Sequence, residues 1–290
     1  MWFGDKERAL STALGTLALP IGCIAGFVVP ASIISESDTA DMIEGRAKFC
    51  KYLLIQNCVV TLATVPLMFL VRDKPPTPPS LSASKPELQI ELKQELIKLL
   101  KNKNYLILCV AFTCLNSICT CMGAVVSSMT FPYGYTPVDN ALIGGVFIIS
   151  GVFGTIVISI LLDRYQKFKD SMISIAIIST LSLVLAQYTL PSRNVAFFTA
   201  NTAIIGLSSI PVGPIGNALA VEITYPVPEA MSNGMMNILY GFTMGILSGY
   251  LCEAYSPRNA LALFAVNCMI GFVATLFVTE DLRRLRPKKV

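Results

Sequence analysis

Histidine is absent from this chain of 290 residues, tryptophan occurs once, and charged side chains make up only 14%. Without imidazole there is no histidine ligation of a metal or haem iron and no histidine general base. Scarce charge, with 54% hydrophobic residues and a mean hydropathy of +0.65, excludes a soluble enzyme and a nucleic-acid binder. The middle third of every long apolar run lacks Asp, Glu, Lys and Arg, so the usual mark of ion or proton coupling is missing. No cluster of nucleophile, base and acid and no cofactor motif occurs, and an enzyme is not expected. Nine cysteines are present, four of them at Cys109, Cys114, Cys119 and Cys121 in one apolar run. At about 100° per residue they point in different directions, which suits helix packing better than a tetrahedral metal site. No metal and no cofactor is expected.

What is abundant is long apolar sequence. Runs of about 20 residues, the length a hydrocarbon core of roughly 30 Å demands of a helix, recur near 9–34, 52–71, 105–130, 141–162, 171–190, 195–221, 231–252 and 259–279. They predict an all-α integral membrane protein with eight spans. The first is too long for a removable signal peptide and lacks a small-residue cleavage site. It carries a GxxxG pair, Gly22 and Gly26, with Pro20 expected to bend it and Pro30 to end it. The acidic loop after it leads to a second span ending near Arg72.

A polar connection follows. Pro75, Pro76, Pro78 and Pro79 predict a stiff start, and Leu88, Leu92, Leu96 and Leu100 then recur every fourth residue. Glu87, Glu91 and Glu95 come early and Lys98, Lys101 and Lys103 late, as a helix dipole favours. Both an interfacial helix and a solvated linker helix fit this pattern. The expected organisation is residues 1–72, a linker over 73–103, six spans over 104–280, and a basic tail over 281–290, giving a 2 + 6 grouping.

Orientation follows from lysine and arginine. With every span crossing once and the N-terminus cytoplasmic, segments 6–8, 72–103, 164–169 and 283–289 share one side and hold 17 of the 22 basic residues. That asymmetry predicts both ends on the cytoplasmic side.

Residues 206–250 concentrate the unusual chemistry. Pro211, Gly213, Pro214 and Gly216 bend or break one span, and Gly241, Gly245 and Gly249 place a small-residue seam on one face of the next. Such a seam serves either helices that slide on one another or a static bundle contact. Polar residues inside spans are pocket candidates: Gln56, Asn57, Asn116, Asn201, Asn237 and Tyr240. Amides and phenols in a bundle bind solute or tie helices together. For Asn237 and Tyr240, beside the glycine seam, the cavity is the expected role.

Four stretches together carry a resemblance: WFGDKERALSTALG, DKPPTPPS, LLDRYQKFK and AVEITYPVPEAMSNGMMN. They are similar to the feline leukaemia virus subgroup C receptor-related transporters of the major facilitator superfamily. The last stretch is the most specific, through Glu222, Ile223, Thr224, Tyr225, Pro226, Glu229, Ser232, Gly234 and Asn237. The resemblance implies a major facilitator-type bundle whose helices five to twelve are represented here, with helices one to four missing. It implies a membrane transporter of a small organic solute held between two six-helix halves, working by alternating access within a longer or partnered protein, in the plasma membrane or an organelle membrane. A truncated, non-transporting protein that associates with itself or with a full-length relative is the alternative, and an incomplete gene model is a third. Partners are then a small solute, membrane lipid and such a relative.

LLDRYQKFK resembles the superfamily's Gly-x-x-x-Asp-Arg loop, with Asp163 and Arg164 matching and Ser159 at the glycine position. The resemblance implies a gate in which Asp163 faces the N-terminal end of the family's helix eleven, the run near 231–252 here, and Arg164 pairs with Glu222 or Glu229. The chain departs from the choline-carrying members where Pro20 and Gly241 stand for their glutamines and Thr120 lies near an aromatic position. Haem lacks a histidine ligand.

Overall fold

The computed structural model describes residues 8–33, 42–70, 92–254 and 257–280, with the side chains of 8–17, 42, 92, 163, 242, 244–254 and 257–258 outside the description. Every described regular element is helical. The chain divides into two units, 1–89 and 90–290.

The first unit holds α1 (Arg8–Ile33) and α2 (Met42–Leu70). The expected end at Pro30 does not occur: α1 runs through Pro20 and Pro30 to Ile33. Each proline removes one N–H from the ladder, a loss that membrane helices tolerate where local adjustments satisfy the freed carbonyl. α2 starts ten residues before the apolar run that begins near 52, and a Glu44–Lys48 ion pair of 3.3 Å spans its charged first turns. Its apolar side chains are exposed along the length, as at Leu54, Leu62 and Phe69.

The second unit begins with α3 (Leu92–Lys101), whose Lys98 and Glu95 pair at 2.6 Å. Leu99 is the buried residue of α3, whereas Leu100 is 47% exposed. Leu88 lies outside the described residues. The helix axis is set by packing on the next helix, and that contact selects Leu99.

Seven described helices follow: α4 (Lys103–Thr130), α5 (Pro137–Tyr165), α6 (Phe168–Thr189), α7 (Val195–Ser209), α8 (Val212–Thr224), α9 (Glu229–Ala254) and α10 (Pro257–Phe277). Their starts are written in local chemistry. Asn102 caps α4 by accepting from Tyr105 N at 3.2 Å, and Asn194 caps α7 by accepting from Phe197 N at 3.2 Å. Thr136 and Asp139 form a reciprocal capping box ahead of α5, with Pro137 in the first turn. α5 stops where Gln166 turns to a positive φ of 52° and its N–H returns to Leu162 O.

Packing follows from where side chains are missing. A Cβ on Gly154 would run into the backbone carbonyl of Leu207, and one on Gly206 into that of Phe147, so α5 and α7 meet backbone to backbone. Gly216 lets α8 sit on the Phe112 ring of α4, and Gly271 lets α10 sit on Leu115. α10 lies against both α4 and α6, and α9 flanks α4 on its other side. The core is Tyr105, Phe112, Phe147, Phe198 and Phe264 with aliphatic residues of the same helices. Cys109, Cys121 and Cys268 are buried among them as apolar side chains.

Among the described residues, six helical segments are long and apolar enough to cross a membrane: 43–70, 103–133, 137–162, 168–189, 195–224 and 259–277. Residues 18–33 form a shorter apolar helix.

Candidate functional site

One face of the second unit breaks the apolar rule. α4 contributes Asn116 and Thr120, α8 contributes Asn217, and α9 contributes Asn233, Asn237 and Tyr240. Asn237 and Thr120 are exposed, and the others are half-buried. Asn237 Nδ2 donates to Asn233 O at 2.7 Å and reaches Asn217 Oδ1 at 3.4 Å, which joins α9 to α8. Asn116 Oδ1 lies 3.6 Å from the point where a Cβ on Gly213 would stand. The Tyr240 hydroxyl shares a hydrogen bond with Thr120 Oγ1, and its ring packs at 71° on Phe112 with centroids 6.0 Å apart. The phenol is therefore fixed by two residues of α4.

α8, which carries Asn217, follows an interruption of the helical ladder. Pro211 has no N–H to continue the ladder of α7, and the chain resumes helix at Val212 after a short turn closed by Gly213 N on Ile210 O. Ile210 and Pro211 keep helical dihedrals, so α8 continues the span of α7, and Gly216 keeps it close to α4.

The turn from α8 to α9 is anchored to the start of α4. Asn102 Nδ2 donates to Ile223 O at 3.4 Å, and the buried Tyr105 hydroxyl donates to Ser232 O at 2.6 Å. Glu222 is buried near the end of α8, and Glu229 stands in the first turn of α9. The Tyr225–Pro226 peptide between them is cis. Arg164, in the last turn of α5, is exposed with its guanidinium 5.6 Å from the Tyr165 ring centroid. The side chain of Asp163 lies outside the description.

The remaining candidates fall elsewhere. Asn201 is 2% exposed and bonds Ser182 O at 3.1 Å and Thr189 Oγ1 at 3.3 Å. It ties α7 to α6, beside a Ser179–Ser208 hydroxyl pair of 2.8 Å. Gln56 and Asn57 are exposed on α2, and Asn57 lines an open depression with Cys50, Leu53, Leu54, Cys58 and Thr61. Among the described residues nothing lies within 4 Å of a Cβ on Gly22, Gly26 or Gly241, whereas Gly151, Gly154, Gly206, Gly216 and Gly271 are the close-packed glycines. Gly245 and Gly249 lie on α9 beyond its described side chains.

Sequence reasoning passed over Asn217, Asn233 and Asn267. Asn233 and Asn237 stand four apart, one helical turn, which was a readable signal. Asn267 donates to Cys114 O at 2.9 Å and Ser117 Oγ at 2.8 Å and works as a helix tie.

The sequence profile of the Major Facilitator Superfamily matches residues 1–246. The chain belongs to that superfamily. As a superfamily member it is a multi-pass integral membrane protein with an all-α bundle. It is 25% identical to the choline/ethanolamine transporter flvcr2a of Danio rerio over 98% of this chain and 62% of that protein. It is also 25% identical to the human choline/ethanolamine transporter FLVCR2, over 100% of this chain and 56% of the relative. A third similar protein is the uncharacterized MFS-type transporter C09D4.1 of Caenorhabditis elegans, 25% identical over 100% of this chain and 50% of that one. The chain thus spans half to three fifths of the length of these relatives. Their names are those of transporters, in keeping with the resemblance carried by the Glu222–Asn237 stretch.

Proposed function

We propose that this superfamily member carries a small organic solute across a membrane by alternating access, without ion coupling, as part of a longer or partnered protein. The observation that carries the reading is the polar face of Asn116, Thr120, Asn217, Asn237 and Tyr240, which gathers four amide and hydroxyl side chains and a phenol on helices whose exposed large side chains are mostly apolar among the described residues. Amides placed against hydrocarbon would be costly, so such a face belongs to a solvated pathway. α1 and α2 correspond in this reading to helices five and six of a twelve-helix fold, and α4 to α10 to helices seven to twelve. Transport and not catalysis is its role. The relatives' names make choline and ethanolamine the first solutes to assay.

The same reading makes the α5 end a gate. Asp163 and Arg164 act there against the α8–α9 turn that carries Glu222 and Glu229, and the open glycines Gly22, Gly26 and Gly241 receive helices supplied by the rest of the transporter.

Counterflow into proteoliposomes tests the function. The 290-residue chain alone is expected to give no flux above empty vesicles, and co-reconstitution with the first four helices of a relative is expected to restore it. Tyr240→Ala should abolish the restored flux. Flux from the chain alone would show that no further helices are needed, and complemented vesicles with no flux of any small solute would overturn the transport reading.

A further inference from the structure

We propose that the exposed side of α3 is a docking surface for anionic phospholipid headgroups of the membrane that the bundle crosses. The leucine spacing and charge order alone fit a solvated linker helix equally well, and three features of the structure separate the two.

Depth is the first. α4 has 28 residues, about 42 Å at 1.5 Å per residue, the thickness of a hydrocarbon core together with its headgroup layers, roughly 40–45 Å. Lys103, at its start, therefore stands at headgroup level, and so do the polar ties beside it, Asn104 with Thr279 and Lys169 with Leu276 O. Asn102 alone separates α3 from α4, with φ −82° and ψ 97°. One extended residue between two helices turns the chain, so α3 leaves the axis of α4 at that level instead of prolonging it into the aqueous phase. Leu99 is buried and α3 packs on α4 and α9, which holds it down on the end of the bundle.

The second feature is the order of side chains around α3. At about 100° per residue, Glu95, Leu96 and Leu99 share the covered side, Leu99 buried and the other two half-buried. Leu100, Lys93, Ile97 and Lys101 follow one another over about the next 100° of surface, and all four are exposed. Contact with the bundle thus accounts for one apolar side, and Ile97 and Leu100 are left over between lysines. A membrane interface takes such a face directly. The apolar side chains enter the acyl boundary, and the lysine stems lie along it with their ammonium groups among the phosphates.

Charge is the third. Among the described residues Lys93, Lys101 and Lys103 have no carboxylate partner, and Lys98 pairs with Glu95 at 2.6 Å. Lys85, Glu87 and Glu91 precede the helix in sequence, and residues 85–103 still hold five lysines against three glutamates. A zwitterionic surface returns nothing for that excess, whereas a lysine close to an anionic leaflet strengthens association by about fivefold. The opposite end of the same unit differs. Its described charged side chains are Asp139, committed to the capping box of α5, and Arg193.

Bromolipid quenching tests this on the full chain in vesicles. The reporter is Ile97→Trp in a Trp2→Phe background, since Trp2 is the one tryptophan of the chain. The vesicles are equimolar phosphatidylcholine and phosphatidylserine, with bromines on the acyl chains of one lipid or of the other, so bulk composition is the same in both. Quenching at least about twofold stronger by brominated phosphatidylserine is expected, shrinking as salt is raised. Replacing Lys93, Lys98 and Lys101 together by Gln should make the two lipids quench equally, and these side chains are exposed, so folding is not at stake. Leu100→Trp carries the same test if Ile97→Trp does not reconstitute. Equal quenching by the two lipids without the lysine substitutions overturns the proposal, because the contact is then apolar and indifferent to the headgroup. Quenching by neither lipid overturns it too, because another protein segment or a second copy then covers the face.

Discussion

A single missing Cβ decides more in this protein than most side chains do. Gly154 and Gly206 sit where any side chain would strike the carbonyl of Leu207 or Phe147, and backbone cannot swing aside. Gly206→Ala should therefore lower stability by about 1–3 kcal/mol, the usual cost of overpacking, read as a fall in thermal midpoint of the detergent-solubilised protein. Gly234→Ala is the control: it meets nothing within 4 Å and lies inside α9, so it should be neutral or stabilising by up to about 1 kcal/mol. Sequence showed the glycines of α9 and α1 through their four-residue spacing. It did not show 151, 154 and 206, because a seam made by two helices distant in sequence has no period in either. Tyr135 gives the second residue-scale prediction. Burial, and then the Asp139 carboxylate, push its phenol above the ordinary 10.0, while its hydroxyl donates to Leu190 O at 3.1 Å. The neutral form is favoured in the folded state, so its stabilisation is complete below pH 10 and is lost as pH rises further. Tyr135→Phe should flatten that alkaline decline in a thermal-melt series while lowering stability at neutral pH.

Helix ends carry the next level of information. Asn104 binds the same residue twice, its Nδ2 donating to Thr279 O at 2.7 Å and its Oδ1 accepting from Thr279 N at 2.8 Å. Nearby, Glu280 accepts from Phe168 N at 2.7 Å at the start of α6, and Lys169 donates to Leu276 O at 2.7 Å at the end of α10. The end of α10 is thus held by α4 and α6 together, each opposite-signed side chain at the helix terminus that favours it. Asn104→Ala should cost about 1–3 kcal/mol through two lost bonds and speed hydrogen exchange over 275–280. Thr136→Ala, which removes the capping box of α5, should cost about 0.5–2 kcal/mol. Caps such as Thr136–Asp139 are built from residues three apart in sequence. The Asn104–Thr279 pair was not legible, since its partners are 175 positions apart. α3 shows the same limit: its fourfold leucine spacing marked a helix, and the burial of Leu99 comes from a tertiary contact that the spacing does not show.

At the scale of the whole molecule, hydropathy located the apolar runs and the lysine and arginine count predicted their orientation. Labelling of single cysteines at positions 40 and 85 in sealed vesicles checks that orientation, with opposite faces expected and a common face refuting it. The polar face was legible only in part, because Asn116, Asn237 and Tyr240 stood out as amides and a phenol in apolar runs, whereas Asn217 gains meaning only once α8 is packed against α9 and its Oδ1 meets Asn237 Nδ2. The interrupted ladder between α7 and α8 also bears on how the chain enters the bilayer. α7 has 15 residues and α8 has 13, about 22 and 20 Å at 1.5 Å per residue, each short of a hydrocarbon core of roughly 30 Å. Neither segment can leave the translocon as a stable span by itself, so residues 195–224 must partition together, with the interrupted ladder at 210–211 already inside the membrane. An arrest-peptide force profile taken across this region should accordingly record one pulling event and not two.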